Sequence, residues 1–129
     1  MKFPEKYLDL FKPETKAFLF LATVMPDGSP QVTPIWFDTD GEQILVNTNE
    51  GRTKDRNMKE RPKVAIAIQD PADPYRYLQI RGKVVEYTRE GADEHIDMLS
   101  HRYKGKPWNY NPAQKRIIFK IKPEHFDEH

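Results

Sequence analysis

The chain contains no cysteine, so it can form no disulfide, no thiolate nucleophile and no thiolate-ligated metal centre. It also has no long hydrophobic run, because the apolar stretch 17–25 is too short to span a bilayer and ends in a turn instead of a cleavage site. Charge of one sign is missing as well, since 21 basic and 20 acidic residues leave a net charge of +1 and no general attraction to nucleic acid or membranes. These absences predict a small cytoplasmic protein whose 129 residues form one domain.

Residue sets that carry catalysis on their own are also scarce. The two serines, Ser29 and Ser100, do not stand in a strand-to-helix elbow, so a serine nucleophile has little support. We expect two histidines on a solvated helix surface and two in a frayed acidic terminus, with no metal-ligand set among them: His95, His101, His125 and His129. If the chain is an enzyme, the reactive atom therefore belongs to a cofactor.

The hydrophobic pattern predicts a mainly β protein. Alternating apolar residues and turn signals indicate six strands, at 17–25, 31–38, 43–49, 64–68, 75–87 and 116–122. Helices are predicted at 4–11, after the third strand, and at 89–103. Tight turns join the first three strands, so we expect a small antiparallel barrel. Pro34 lies in the middle of the second strand and predicts a bulge or an unpaired stretch there.

The segment 51–57 is the most informative part of the sequence, because it places basic residues where a helix is predicted to begin. Arg52, Lys54 and Arg56 oppose the helix dipole, and Asp55 offsets only part of that cost. The simplest partner for these cations and for the free backbone N–H groups is a bound anion such as a cofactor phosphate. The alternative is an ordinary solvated helix in which Asp55 pairs with Lys59.

Two neighbouring features bear on the anion-site hypothesis. Small polar residues at 47–49 end the preceding strand, so they converge with the cations. The stretch 33–36 offers either core side chains or, with Pro34 interrupting the strand, free backbone groups and apolar walls for a flat aromatic ligand. Five further residues are equally suited to an outer wall of this site or to a dimer interface: Tyr75, Arg76, Tyr77, Trp108 and Tyr110.

The order of these motifs resembles the pyridoxamine 5′-phosphate oxidase-like superfamily of FMN-binding split barrels. The motifs are Leu-Ala-Thr at 21–23, Asp-Gly-Ser-Pro at 27–30, Gln-Val-Thr-Pro-Ile-Trp at 31–36, Asn-Thr at 47–48 and Gly-Arg-Thr-Lys-Asp-Arg-Asn at 51–57. Within the superfamily, the chain is most similar to the F420-dependent flavin/deazaflavin oxidoreductases. Further matches at 74–77, 81–82 and 91–97 extend the resemblance over nearly the whole chain.

The resemblance implies a split β-barrel homodimer with two cofactor sites at the subunit interface. The cofactor phosphate would be held by Arg52, Lys54 and Asn57. The ring system would be lined by two stretches: Thr33, Pro34, Ile35 and Trp36, and Val46, Asn47 and Thr48. The partner subunit would contribute Tyr75, Arg76 and Tyr77.

The activity that the resemblance implies is hydride transfer from reduced F420 to a small organic acceptor. The phosphate site does not distinguish F420 from FMN, since FMN ends in a phosphate monoester and F420 continues through a phosphodiester into an anionic tail. The alternatives are an FMN-dependent reductase or oxidase, a non-enzymatic flavin-binding protein, and a barrel that binds single-stranded nucleic acid through aromatic and basic residues. The near-neutral charge argues against the last of these.

Overall fold

The structure, a computed structural model, describes residues 2–129 and has a mainly β architecture. One antiparallel sheet of seven strands curls into a half-barrel, as expected for a split barrel. The strands are β1 (Leu19–Val24), β2 (Pro30–Ile35), β3 (Asp38–Thr39), β4 (Ile44–Asn49), β5 (Lys63–Asp70), β6 (Asp73–Thr88) and β7 (Arg116–Glu128). Two α-helices, α1 (Thr53–Glu60) and α2 (Ala92–Lys104), and two 3₁₀ helices, Glu5–Phe11 and Pro13–Thr15, complete the chain.

The strand order across the sheet is β2-β1-β5-β6-β7-β4-β3, and every pairing is antiparallel. The 16-residue strand β6 pairs with both β5 and β7. Its register with β7 shifts at Gly82, where a Cβ would stand 2.7 Å from the carbonyl oxygen of Lys122. Only glycine fits at this point, because the two backbones approach too closely for a side chain.

The inner face of the sheet forms the core. Alternate residues of the strands are fully buried there, among them Leu21, Ile66, Ile80 and Phe119. Met58 of α1 packs against the same cluster. Bulky apolar residues alternate with small or polar ones along each strand, and this alternation determines which face of the sheet is buried.

The helix α2 covers part of the opposite face, packing on β4 and β7. Its buried side, which includes Ile96 and Leu99, has the periodicity predicted from the sequence. The Tyr103 hydroxyl fastens the end of α2 by donating to Ala17 O at 2.6 Å and accepting from Phe37 N at 3.4 Å, and burial raises its pKa. Within residues 2–129, no helix has the length and apolar character needed to cross a membrane.

The predicted strand 31–38 is wrong in its extent, and the strand count is seven instead of six. The chain leaves the sheet after Ile35 and re-enters it at Asp38 on the opposite edge, beside β4. The predicted bulge at Pro34 is also wrong, because Pro34 pairs in register with Phe20. Since β2 is an edge strand, a missing backbone N–H interrupts no second ladder.

The predicted frayed terminus is wrong as well. β7 continues through Glu128 along β6, and the backbone of His129 exchanges two hydrogen bonds with that of Tyr77, at 3.2 and 3.1 Å. Pro123 lies opposite Gly82 at the register shift, so the proline falls where the ladder is already irregular.

Candidate functional site

A cavity of about 330 Å³ opens where β4, the start of α1, α2 and the start of β7 come together. It gathers seven of the residues predicted from the sequence: Pro34, Ile35, Trp36, Asn47, Thr48, Arg52 and Lys54. Its remaining walls come from residues that the sequence did not assign to a site, except that Trp108 was considered for an outer wall: Phe18, Ile96, Leu99, Lys104, Trp108, Gln114 and Arg116. Its volume is in the range of small-molecule sites.

Cations without acidic partners are the main electrostatic feature of this cavity. Arg52, Lys54, Lys104 and Arg116 line it, none of the lining residues is acidic, and none of the four forms an ion pair within residues 2–129. Burial together with Arg52 and Arg116 lowers the pKa of Lys54. Burial and Arg52 lower the pKa of Arg116 to about 10, with Asp93 opposing the shift. A bound anion would relieve this repulsion.

The acidic residue in the first turn of α1, Asp55, does not neutralise these cations. Asp55 Oδ2 accepts a hydrogen bond from Gly51 N at 2.8 Å, and Oδ1 lies 3.2 Å from Lys59 Nζ. The predicted pair of Asp55 and Lys59 is therefore present, but it lies apart from the cavity. Arg56 is also occupied elsewhere, since it donates to Gly51 O at 2.7 Å. Arg52 and Lys54 are left to the cavity.

An aromatic wall stands beside the cations. The Trp36 ring is stacked on Tyr103 with centroids 5.4 Å apart and meets Trp108 edge-on at 6.2 Å. The Arg116 guanidinium lies 5.1 Å from the Trp108 ring centroid, and Lys104 Nζ lies 5.4 Å from that of Trp36. Such a wall next to cations suits a ligand that joins a flat ring to an anionic arm.

A second cavity, of about 320 Å³, adjoins the same cations. It is lined by Gln31, Thr33, Gly51, Arg52, Thr53 and Lys54, so it shares Arg52 and Lys54 with the first cavity. Lys54 Nζ stands 3.4 Å from Thr33 Oγ1. Thr33, predicted to line the ring site, therefore faces this second cavity.

Two predicted residues face the interior of the protein instead. Val46 is part of the hydrophobic core and is 1% exposed. Asn57 is buried, donates to Thr23 Oγ1 at 3.0 Å and accepts from Arg61 at 3.0 Å, so it fastens α1 to β1. Position 57 lies on the inward side of α1, with Met58, which explains why it does not join Lys54 in the cavity.

Three more predicted residues lie away from the cavity within this chain. Arg76 forms ion pairs with Asp9 at 2.8 Å and Asp70 at 2.9 Å. The Tyr77 ring stacks on His129 with centroids 4.6 Å apart, and Tyr75 is 88% exposed. A role for this segment at the cavity requires a second copy of the chain.

The solvated position predicted for His95 is wrong. Its side chain is only 9% exposed, with Nδ1 3.1 Å from Asn47 Nδ2 and Nε2 3.3 Å from Asp38 Oδ2. Burial opposes ionisation of Asp38, but His95, the Thr39 backbone and Arg102 outweigh it and lower the pKa of Asp38. No local signal marks this position, because His95 is buried by the packing of α2 on β4 and β7.

The fold and the cavity together define a half-barrel that presents cations and aromatic side chains to a ligand. A model of the pyridoxamine 5′-phosphate oxidase family matches residues 3–129, and the chain belongs to this family. The resemblance inferred from the sequence is thereby confirmed, including its F420 group. At the level of the family, the chain is placed among flavin- and deazaflavin-type oxidoreductases.

Solved structures extend the comparison. The chain is 37% identical to a protein named F420 reductase, with a TM-score of 0.86 and coverage of 98% of this chain and 100% of the other. A conserved hypothetical protein, Rv2991, from Mycobacterium tuberculosis shares the fold at 22% identity, with a TM-score of 0.73 over 96% of this chain and 82% of the other. HupZ from Group A Streptococcus shares it at 21% identity, with a TM-score of 0.70 over 98% and 93%. No curated protein matches the chain significantly.

Proposed function

We propose that this protein is an oxidoreductase whose single domain binds the deazaflavin F420. In the proposed reaction, hydride passes from the reduced cofactor to a small organic acceptor. The observation that carries the proposal is the meeting of Arg52, Lys54 and Arg116, without a carboxylate, with an aromatic wall in one cavity. The 37% identity to a protein named F420 reductase supports the choice of cofactor. When bound, reduced F420 supplies the hydride, and the chain supplies binding and orientation.

Arg52 and Lys54 have the role of holding the cofactor phosphate. Both stand at the start of α1, where free backbone N–H groups add to their charge. The ring has its place beside 34–36 and Thr48, in the first cavity. Because β2 is an edge strand, the backbone groups on its outer side are available to polar atoms of the ring.

The two cavities favour F420 over FMN. Both are lined by Arg52 and Lys54, so a phosphate held there borders the two cavities. A phosphodiester such as that of F420 can place its ring in the first cavity and its tail in the second. The phosphate monoester of FMN would end between the two and leave the second cavity unused.

A homodimer is part of the proposal, and an exposed apolar face supports it. On the outer side of the sheet, Phe20 is 37% exposed and Val32 63% exposed, beside the small residues Ala22, Ala65 and Ala67. This face continues to Phe18, which lines the first cavity. A second copy on this face would border the cavity, and Tyr75, Arg76 and Tyr77 of that copy are the proposed contribution.

The test is titration of the purified apoprotein with F420 and with FMN, followed by oxidation of the reduced cofactor with several acceptors. Micromolar or tighter F420 binding with turnover is the expected result. Tight binding of FMN alone would overturn the choice of cofactor and favour an FMN-dependent reductase or oxidase. Binding without turnover of any acceptor would favour a flavin-binding protein, and salt-sensitive oligonucleotide binding would favour the nucleic-acid alternative.

Filling the second cavity should separate the two cofactors. In Thr33→Leu we expect F420 affinity to fall about tenfold or more, the effect of ~1.4 kcal/mol, because the tail loses its space. FMN affinity should change by about twofold or less, since one weak contact to Lys54 is lost. Thr39→Leu, the same substitution on β3 at a residue that lines neither cavity, is the matched control. Equal losses for both cofactors would show that the second cavity does not receive a tail.

The pH dependence of binding should follow the lowered pKa of Lys54. Its charged form is disfavoured in the free protein and favoured by the bound phosphate, so F420 affinity should fall as the pH rises through that lowered pKa. In Lys54→Arg, whose guanidinium keeps its charge over this range, that decline should be absent. Isothermal titration from pH 6 to about 10.5 measures both variants, and pH-independent affinity over that range would contradict the assignment.

A further inference from the structure

Arg116 is held by its Nε atom, which leaves the end of its guanidinium for the cavity. Nε donates to Asn47 Oδ1 at 2.9 Å, and the guanidinium lies 5.1 Å from the Trp108 ring centroid. Among residues 2–129, no hydrogen bond or ion pair engages the two terminal nitrogens of Arg116. The side chain is thus fixed at one end and unpaired at the other, beside Arg52 and Lys54.

Asn47 cannot turn toward a ligand, because both ends of its amide are engaged. It is 8% exposed, and its Nδ2 donates to Ala92 O at 2.9 Å while its Oδ1 accepts from Arg116. The second hydrogen of Nδ2 points at His95 Nδ1, 3.1 Å away. Since only the amide oxygen can accept from Arg116, the orientation of the amide is determined by its partners.

His95 completes the arrangement. Because Nδ1 accepts from Asn47, the ring proton is on Nε2, which stands 3.3 Å from Asp38 Oδ2. That approach is electrostatic and is not aligned as a hydrogen bond. Arg102 holds Asp38 from its other oxygen at 3.2 Å. Asp38 of β3, His95 of α2 and Asn47 of β4 therefore form a continuous series of contacts that ends at Arg116.

We propose that Arg116 is a third anion-binding cation of the cavity and that Asn47 and His95 are positioning residues that hold its guanidinium toward the ligand phosphate. The proposal deepens the proposed function, on which it rests only in that the cavity receives a phosphate-bearing ligand. It gives Asn47 a different role from the ring contact that the resemblance implied.

A matched pair of polar variants tests the positioning role. Asparagine at position 95 can place its oxygen near the position of Nδ1, so His95→Asn should keep the contact to Asn47. Glutamine reaches instead toward the position of Nε2, so His95→Gln should lose it. The first measurement is ¹⁵N NMR of the Arg116 Nε–H, whose exchange with water should be slow in the wild type and His95→Asn and fast in His95→Gln.

The second measurement is the ratio of affinities for F420 and for its chromophore lacking the phosphate and tail. We expect His95→Gln to lower this ratio about 3- to 10-fold, the effect of one neutral hydrogen bond, and His95→Asn to preserve it within about twofold. In an Arg116→Gln background, His95→Gln should have no further effect, because the group it positions is gone. The proposal would be wrong if His95→Gln lowered the affinities for F420 and for the chromophore equally. It would also be wrong if His95→Gln lowered the ratio as much in the Arg116→Gln background as in the wild type.

Inorganic phosphate separates this inference from the proposed function. Phosphate should shift the Arg116 Nε–H resonance in the wild type and should shift it less in His95→Gln, whether or not F420 binds. Failure of F420 to bind, with the phosphate response intact, would overturn the proposed cofactor alone. Absence of any phosphate response, with F420 bound, would overturn the role of Arg116. Asn47→Ser removes the oxygen that accepts from Arg116, so its effects on the affinity ratio and on the Nε–H exchange should match those of His95→Gln. It replaces the His95 variants in the test if one of them does not fold.

Discussion

Lys54→Met should weaken F420 binding by about 1.5–3 kcal/mol, roughly 10- to 150-fold, because one charge-assisted contact to the phosphate is lost. The same change should stabilise the unliganded protein. The lowered pKa of Lys54 means that its charged form opposes folding below that pKa, and methionine removes this cost. Fluorescence titration measures the affinity, and thermal unfolding without ligand measures the stability, where ~1 kcal/mol corresponds to about 2–8 °C in Tm.

Lys59→Met is the matched control on the same helix. Lys59 pairs with the buried Asp55 at 3.2 Å and with Glu50 at 3.4 Å, so its loss leaves the Asp55 carboxylate without its cation and removes no cavity cation. We expect F420 affinity to stay within about threefold and stability to fall by about 1–3 kcal/mol. Lys54→Met should raise stability and Lys59→Met should lower it. These opposite signs distinguish a lysine that binds a ligand from one that stabilises the fold. Loss of both stability and affinity in Lys54→Met would point to a structural role for Lys54.

Phe119→Ala should have the largest effect on stability, a loss of about 3–5 kcal/mol. Phe119 is 0% exposed and lies at the centre of the core on β7, and its ring centroid is 5.5 Å from that of Tyr87. Against a total of about 5–15 kcal/mol for a domain of this kind, this loss leaves the protein close to unfolding. Urea denaturation at one fixed protein concentration measures it, since any dimer makes stability concentration-dependent.

Phe18→Ala provides the contrast. Phe18 is 48% exposed and lines the first cavity, so its truncation should change stability by less than ~1 kcal/mol while weakening cofactor binding. The two phenylalanines therefore separate the core from the site. A loss from Phe18→Ala as large as that from Phe119→Ala would mean that the aromatic wall is part of the structural core.

The sequence predicted those features that are determined by local residue patterns. Alternation of apolar residues indicated the strands, and the periodicity predicted over 89–103 indicated α2 to within three residues at its start. The cations at the start of α1 were also predicted, because their conflict with the helix dipole is visible in five consecutive residues, 52–56. These signals arise from neighbours along the chain.

What the sequence did not predict depends on strands that are distant in the chain. Arg116 reaches the cavity because β7 pairs with β4, which sets Arg116 opposite Asn49 and diagonal to Asn47. No local pattern specifies that register. His95 is buried for the same reason, since α2 lies on the face that this pairing creates. The bulge predicted at Pro34 is absent because β2 lies at an edge of the sheet, and that position depends on strand order.

The pairing of β4 with β7 also has a consequence for folding kinetics. These strands are separated in the chain by α1, β5, β6 and α2, so their contact closes a long loop and is entropically costly to form. Topologies of this kind fold slowly, with non-local pairing among the late steps. Since Asn47 and Arg116 come from the two strands, the cavity exists only in chains that have completed this step. The rate at which ligand binding recovers during refolding would therefore report the rate at which β4 pairs with β7.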